Sequence, residues 1–308
     1  METRPLIVGS RGSKLAVLQA QMVIDRLKLR HPGREFTIKT IKTTGDQKIQ
    51  ADLSEIGGQG VFVKELELAL ANREVDLAVH SLKDVPTELG TGLTLGAILP
   101  REEVRDVLVS KSGNGLAALP RGARLGTGSQ RRATQIKAFR PDLEFIPIRG
   151  NIDTRLKKAF TEELDGVILA GAALVRLGWQ HNVTEYVPIE VSLPMVGQGA
   201  MAVEVRADDH ETRALVSTLN DEATERSVTA ERAFLRALGG GCVAPIAALG
   251  TVSDGVLRLE GMAASIDGRQ MIRSRLKGPA AQAETIGKTL GERILDMGAR
   301  QFLKEDAR

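Results

Sequence analysis

Short apolar runs alternate with helical periodicities over the first hundred residues. An apolar run at 6–8 ends at a glycine. After it, apolar residues recur at helical spacing at Leu15, Leu18, Met22 and Leu29, with Ala16, Ala20 and Val23 beside them. A second run, at 36–41, alternates as a strand does. This order of strand, helix and strand predicts a βαβ unit with a right-handed crossover.

The pattern continues to a break near residue 100. Apolar positions predict a helix over 62–70 and strands at 77–79 and 93–99. A proline at 100 and three charged residues at 101–103 then interrupt the pattern. We therefore expect a domain boundary close to these residues.

The stretch that follows repeats the order of the opening. A strand at 124–125 leads through a glycine-rich turn into a helix, and further strands are predicted at 145–148 and 167–170. A strand at 200–205 closes this region, and we expect it to cross back and complete the first sheet. The short repeat predicts two similar α/β domains.

The last hundred residues predict a third, smaller domain. Its predicted elements are helices at 212–219 and 223–238, strands at 246–249, 256–259 and 271–273, and a long amphipathic segment over 281–302. The fold class is therefore α/β, with a small α+β third domain. The domain boundaries that we predict are 1–99 with 200–217, then 105–193, then 222–308.

Composition narrows the classes of function. The chain has 308 residues, a formal net charge of +3 and one cysteine, so it cannot form an internal disulfide. No apolar run approaches the ~20 residues that cross a bilayer. Without a charged, apolar leader as well, we expect a cytoplasmic protein with no membrane partner.

Aromatic residues make up 3% of the chain, too few to stack single-stranded bases, so no nucleic-acid partner is expected. The four histidines are far apart, so no metal site is predicted.

Three polar stretches stand where strands end. The turns 9–13 and 126–129 each place backbone N–H groups and a hydroxyl at a helix N-terminus, where an anion binds well. An ordinary serine cap is the alternative. The cluster 80–86 follows a buried strand, where open α/β sheets place ligand sites. There Lys83 and Asp84 either take part in chemistry or form a surface ion pair.

Arginines concentrate in the predicted second domain. Arg131, Arg132, Arg149 and Arg155 fall on strand-to-helix turns or in the first turns after them. Most arginines in such positions are simply exposed to solvent. A guanidinium group can, however, bind a carboxylate through two hydrogen bonds, so a set of four suits a small molecule with several acid groups. The P-loop and GxGxxG patterns are both missing from the sequence, and nucleotide binding is therefore not predicted.

The single cysteine follows three glycines, at 239–241. Glycines allow backbone dihedrals that other residues avoid, so this loop can bring the thiol of Cys242 into a cleft. A buried, inert cysteine is the alternative, because free cysteine often behaves as a small apolar residue.

Seven blocks of sequence resemble the porphobilinogen deaminase family, also called hydroxymethylbilane synthases. In the family's order they are GSRGSKLA at 9–16, GGQGVFVKE at 57–65, AVHSLKDVP at 78–86, GTGSQRR at 126–132, RGNIDTRL at 149–156, LPMVGQGA at 193–200 and GGCVAPI at 240–246. The resemblance covers nearly the whole chain. It implies a monomer with two domains like type II periplasmic binding proteins and a small third domain.

The resemblance also implies a chemistry. A thioether at Cys242 would hold a dipyrromethane cofactor, onto which four porphobilinogen molecules add head to tail with loss of ammonia. Water would then release linear hydroxymethylbilane. Asp84 would stabilise the cationic azafulvene that forms when ammonia leaves, because a fixed anion lowers the barrier where positive charge develops.

The family's binding residues map onto two sets in this sequence. Those expected to hold the cofactor's carboxylates are Ser81, Lys83, Thr127, Ser129, Arg131 and Arg132. Those expected to bind substrate or the lengthening chain are Arg11, Ser13, Gln19, Arg149, Arg155 and Arg176.

The sequence departs from the family's common pattern at four positions. Gln59 stands where lysine is frequent and Glu55 where a basic residue is frequent, which puts a basic lid over the site in doubt. Gly128 replaces a common serine, and Gln130 a frequent leucine.

Two other classes of function remain as alternatives. Two domains of this type could simply close on a polycarboxylate, as a binding protein does. A cysteine-nucleophile hydrolase would need a histidine base such as His80 near the thiol.

Overall fold

The computed structural model describes residues 4–43, 63–161, 163–239 and 245–305. These residues form two compact units: unit 1 runs to Arg101 and includes Ala200–Glu225, and unit 2 comprises Glu102–Gly199 and the residues from Arg226 onward. The α/β fold class is confirmed, with two five-stranded sheets and a small region of three strands and helices. The three-domain boundaries stay a prediction.

Unit 1 is a five-stranded sheet with helices. Its strands are β1 (Leu6–Arg11), β2 (Phe36–Ile41), β3 (Leu77–Ser81), β4 (Leu93–Ile98) and β10 (Met201–Arg206). Its helices are α1 (Lys14–Arg30), α2 (Lys64–Ala71) and α6 (His210–Ser217). The strand order is β2-β1-β3-β10-β4, in which β1 is parallel to both of its neighbours.

The late strand β10 completes this first sheet, as predicted. It lies antiparallel between β3 and β4, with Val203 opposite Val79 on one side and Ala97 on the other. All six residues of β10 are buried, because the strand is central and covered on both faces.

Helix α1 buries part of the apolar set that the sequence predicts for it. Leu29 is 82% exposed, whereas Ala20, Val23 and Leu27 are fully buried. Apolar residues surround much of this helix, so periodicity alone is compatible with more than one buried face. Packing against β1 and β3 selects the face that is buried.

The first sheet of unit 2 repeats this arrangement. Its strands are β5 (Asp106–Ser110), β6 (Arg124–Gly126), β7 (Glu144–Ile146), β8 (Gly166–Ala170) and β9 (Glu185–Tyr186). Its helices are α3 (Gln130–Phe139), α4 (Ile152–Thr161) and α5 (Gly171–Arg176). The order β7-β6-β8-β5-β9 matches that of unit 1, with β5 antiparallel to β8 as β10 is to β3. The predicted repeat is confirmed, although β5 and β9 were not predicted.

The remaining part of unit 2 is an antiparallel three-stranded sheet with helices. It contains α7 (Glu222–Ala237, which begins in unit 1), β11 (Ile246–Ser253), β12 (Val256–Ala264), β13 (Met271–Pro279), α8 (Ala283–Ile294) and α9 (Arg300–Glu305). The strands are longer than predicted. The amphipathic segment over 281–302 is not one helix, because a π-helical turn interrupts it and Gly298 has a φ of 118°. In the described part of the chain, no helix combines the length and apolar character that crossing a membrane requires.

A buried carboxylate fastens the N-terminal strand of unit 1. Asp76 accepts hydrogen bonds from the Ile7 backbone N–H at 2.8 Å and from Arg4 Nη2 at 2.7 Å, and Arg206 Nη2 lies 3.6 Å away. Burial raises the pKa of Asp76, but the hydrogen bonds and charges of these partners outweigh burial and lower the pKa overall. Asp76 therefore stabilises the fold above the ordinary carboxyl pKa of about 3.9, and loses that effect as the pH falls through its lower folded pKa.

We expect Asp76→Asn to lower the free energy of unfolding by about 3 kcal/mol near neutral pH, because it leaves buried donors without a charged acceptor. The difference from the parent should shrink below a pH of about 4, where the unfolded carboxyl becomes protonated. Calorimetric melting at several pH values measures both effects. Asp208→Asn is the control, since the Asp208 side chain pairs with Arg73 at the surface and is 67% exposed. Equal melting temperatures for the two variants would contradict the assignment.

Candidate functional site

In unit 1, predicted site residues gather at the carboxyl edge of the sheet. β1 and β3 are parallel neighbours, with Gly9 opposite Ala78, so their last residues, Arg11 and Ser81, lie at the same edge. Gln19, which is buried in α1, donates from Nε2 to Ser81 Oγ at 3.0 Å. The structure thus joins one predicted substrate residue to one predicted cofactor residue.

Asp84 lies in a turn that follows this edge. The chain makes a 3-10 turn at Leu82–Asp84, anchored by buried Leu82, whose N–H donates to the Ala200 carbonyl at 3.0 Å. Lys83 and Asp84 are half-buried. No hydrogen bond or ion pair joins the Asp84 side chain to any residue in the described ranges, so its oxygens are available for a ligand.

Two other residues of unit 1 have defined partners. Ser13 caps α1 by accepting from the Ala16 N–H at 3.3 Å. His80, the base in the hydrolase alternative, is buried, and its Nε2 lies 2.9 Å from Glu204 Oε2.

In unit 2, the equivalent turn leads into α3. Ser129 caps the helix by accepting from the Arg132 N–H at 3.4 Å, and Thr127 Oγ1 accepts from the Ser129 N–H at 3.2 Å. Arg131 and Arg132 follow in the first helical turn and are each 6% exposed. The turn therefore brings four predicted cofactor residues together.

Asp106, a residue that the sequence did not single out, contacts both arginines. Its Oδ1 accepts from Arg132 Nε at 2.8 Å, and its Oδ2 accepts from Arg131 Nη2 at 2.8 Å. Ser192 Oγ and Gln198 Nε2 also donate to it, at 2.8 and 3.0 Å. Burial raises the pKa of Asp106, but the charges of Arg131 and Arg132 outweigh burial and hold the pKa well below its usual range. Asp106 is therefore an anion at physiological pH.

The three remaining predicted arginines, Arg149, Arg155 and Arg176, are half-buried in unit 2. Arg155, in the first turn of α4, donates from Nε to the Gly150 carbonyl at 2.8 Å. Arg176, the last residue of α5, donates from Nη2 to the Gly199 carbonyl at 2.6 Å. Arg149 follows the buried Ile148. Arg149 and Arg155 thus follow β7, and Arg176 ends the helix that follows β8, in the same sheet as the turn before Arg131 and Arg132.

The glycine at 128 allows a close approach of two backbone segments. A Cβ at this position would lie 2.7 Å from the Ile148 carbonyl oxygen and 4.0 Å from Arg155 Nη1. The backbone at Ile148 cannot move away from an added Cβ as easily as the end of a flexible side chain could. The glycine at 128 therefore lets the backbone segment before Arg149 pack against the turn.

We expect Gly128→Ala to cost about 1–3 kcal/mol, because the added methyl overlaps backbone. Gly12→Ala is a matched control: Gly12 occupies the equivalent turn of unit 1, and a Cβ there would meet nothing within 4 Å. That variant should change stability by less than about 0.5 kcal/mol. Thermal melting of both variants tests the pair, and a neutral Gly128→Ala would show that the contact relaxes without cost.

Several predicted residues lie outside the described ranges. They are Cys242, Glu55 and Gln59, so neither the thioether position nor the loop with its altered charges is tested by the structure. Gln130 is described, and its Nε2 donates to the Ile266 carbonyl at 2.7 Å, a contact that leucine could not make. Among the described residues, no group of three or more His, Cys, Asp or Glu side chains is placed to hold a metal ion.

Comparison with known proteins gives consistent matches over most of the sequence. A family profile described as "Porphobilinogen deaminase, dipyromethane cofactor binding domain" matches residues 6–214. A second, "Porphobilinogen deaminase, C-terminal domain", matches residues 226–296.

Curated relatives agree with these profiles. The porphobilinogen deaminase of Desulforudis audaxviator (strain MP104C) is 48% identical over 97% of this chain and 97% of its own length. That of Syntrophobacter fumaroxidans (strain DSM 10017 / MPOB) is 48% identical over 99% of each chain. Among solved structures, a nutrient binding protein from Burkholderia cenocepacia bound to methionine has a TM-score of 0.44 and 12% identity, covering 68% of this chain and 89% of its own. A likeness at this level says nothing about function.

Proposed function

Because the chain belongs to the porphobilinogen deaminase family, whose transferases polymerise porphobilinogen in tetrapyrrole biosynthesis, we propose that its residues divide into three groups. One group holds the dipyrromethane cofactor, one binds substrate, and one residue assists the reaction. In this proposal the cofactor is attached through Cys242. Four porphobilinogen molecules add to it in turn, each losing ammonia, and water then releases hydroxymethylbilane.

The arginine pair at the start of α3 is the observation that supports the cofactor assignment. Two guanidinium groups face one carboxylate, Asp106, so the buried cluster keeps one net positive charge. Arg131 Nε is also buried without an acceptor. An uncompensated positive charge and an unused N–H donor fit a ligand that carries carboxylates. Together with Ser81, Lys83, Thr127 and Ser129, this pair would bind the acid groups of the dipyrromethane.

The substrate set is assigned to polar groups of both units that are half-buried, except for Gln19, which is buried. In unit 1 these are Arg11, Ser13 and Gln19, and in unit 2 they are Arg149, Arg155 and Arg176. Each pyrrole brings an acetate and a propionate, so a lengthening chain needs several cationic partners, which guanidinium groups supply.

Asp84 is assigned the catalytic role. Its half-buried carboxylate sits on a turn that Leu82 anchors to the sheet, so the backbone that carries the negative charge is held in place. A fixed charge stabilises positive charge that develops on the substrate pyrrole when ammonia leaves, without the reorganisation that water would need.

The same assignment implies a cellular context. We propose that the protein acts as a monomer in the cytoplasm, with porphobilinogen and the growing polypyrrole as its partners and without nucleic acid or membrane. The single cysteine supports a reducing compartment, and the low aromatic content argues against a nucleic-acid partner.

Incubation of the purified protein with porphobilinogen tests the activity directly. We expect four ammonia molecules to be released for each linear tetrapyrrole, with the product identified by mass spectrometry. Binding of porphobilinogen without release of ammonia would instead favour the polycarboxylate-binding alternative.

A further inference from the structure

Asp106 engages particular donors of the arginine pair and leaves others available. On Arg131, Nη2 bonds to Asp106, and Nη1 donates to the Leu193 carbonyl at 2.6 Å and to Ser192 Oγ at 3.3 Å. On Arg132, Nε bonds to Asp106, while the terminal nitrogens make only long contacts, 3.5 Å to the Ile168 carbonyl and 3.4 Å to Gln198 Oε1. The donors left for a ligand are Arg131 Nε and the terminal nitrogens of Arg132.

The carboxylate itself is held rigidly. Asp106 is the first residue of β5, lies between β8 and β9 in the sheet, and is fully buried. Gln198, which donates to Asp106, also donates to the Val104 carbonyl at 2.7 Å. The segment that carries Gln198 is fixed in turn, because Glu231 accepts from the Gly197 N–H at 2.7 Å. Asp106 thus offers the arginines an acceptor that cannot follow them if they rotate.

Electrostatics explains why the pair needs such an acceptor. Two guanidinium groups side by side in a dry environment repel each other. Burial and the neighbouring Arg132 charge lower the pKa of Arg131, and the Asp106 charge opposes them. Without the carboxylate, one of the two side chains would turn toward solvent or another acceptor.

We propose that Asp106 is a positioning residue for the cofactor site, and that its carboxylate sets the orientation in which Arg131 and Arg132 present their remaining donors to the cofactor's acid groups. This inference rests on the proposed function, because it takes over the assignment of the two arginines. It predicts that the geometry that Asp106 imposes, and not only its charge, determines how fast the cofactor is acquired.

The rate of cofactor acquisition is the first readout. Protein made in cells that produce no porphobilinogen is mixed with this substrate, and the adduct of two linked pyrroles is followed by intact mass. Asp106→Asn should slow adduct formation about tenfold or more, since charge-assisted hydrogen bonds are lost. Ser192→Ala is the matched control, because it removes a neutral donor to the same carboxylate and only a long contact of 3.3 Å with Arg131 Nη1, and it leaves the charge of Asp106 in place.

A second comparison separates positioning from charge balance and also serves if Asp106→Asn alone folds poorly. Arg131→Gln and the double variant Arg131→Gln/Asp106→Asn both lack one arginine and differ only at position 106. The double variant has one buried guanidinium without a carboxylate, whereas Asp106→Asn alone has two that repel each other, so the double variant is the less strained of the two. If Asp106 orients Arg132, adduct should form faster in the single variant, although its cluster has no net charge. If only charge matters, the double variant, with one net positive charge, should be the faster.

Each outcome has a distinct meaning. Normal adduct formation by Arg132→Gln would overturn the proposed role of the arginine, and the inference with it. Slow formation by Arg132→Gln with normal formation by Asp106→Asn would overturn the inference alone. Equal losses in Asp106→Asn and Ser192→Ala, or a faster double variant, would also overturn it.

Discussion

Replacement of Cys242 by serine is expected to abolish the covalent adduct and to reduce turnover at least about 100-fold. A thiolate is a far better nucleophile than a serine hydroxyl, which stays protonated at neutral pH unless a neighbouring base activates it. The adduct also carries the first ring to which substrate adds, so its loss removes the acceptor for every later step. Intact mass of the purified protein measures the adduct, and product formation from porphobilinogen measures turnover.

The single cysteine provides an internal control for this experiment. Iodoacetamide should leave the wild-type mass unchanged when the sulfur is already in a thioether, and should add one group to protein made without porphobilinogen. The serine variant should gain no such group under either condition. A two-pyrrole adduct that persists on Cys242→Ser would place the attachment elsewhere and contradict the assignment.

The sequence pattern predicted most of the architecture. Apolar runs located β1, β3 and β8, and the similar turns at 9–13 and 126–129 correctly indicated two related sheets. The pattern failed for β5, because Asp106 opens a strand directly after a charged stretch and makes it look like part of the boundary. For α1 the pattern included the buried Ala20 and Val23, but it also included Leu29, which is exposed.

The candidate site was predicted less completely, for a physical reason. Motifs identified the groups that would touch a ligand, such as Arg131 and Arg132, because their chemistry shows in the residue type. Asp106 is 25 residues from Arg131 in the sequence and meets it only when β5 joins the sheet. A lone acid opening an otherwise apolar strand was the available signal, since a buried carboxylate needs cationic partners.

Asp84→Asn is expected to keep the adduct and to lower turnover at least about 100-fold. Asparagine has nearly the same shape, so the turn at Leu82–Asp84 and its anchor at Leu82 should persist. The amide has no negative charge to stabilise the positive charge that develops as ammonia leaves the substrate. Intact mass, melting temperature and rate of product formation, measured on one preparation, separate loss of chemistry from loss of cofactor or fold.

Glu88→Gln is the matched control for this variant. Glu88 lies four residues further along the same segment and is exposed. The Glu88→Gln variant therefore loses a charge of the same sign without changing the turn. Its turnover should stay within about twofold of the parent, because an exposed charge is screened by water and salt. Near-normal turnover by Asp84→Asn would contradict the catalytic role. An equal loss in both variants would mean that the general charge of this segment matters, and not a carboxylate fixed at position 84.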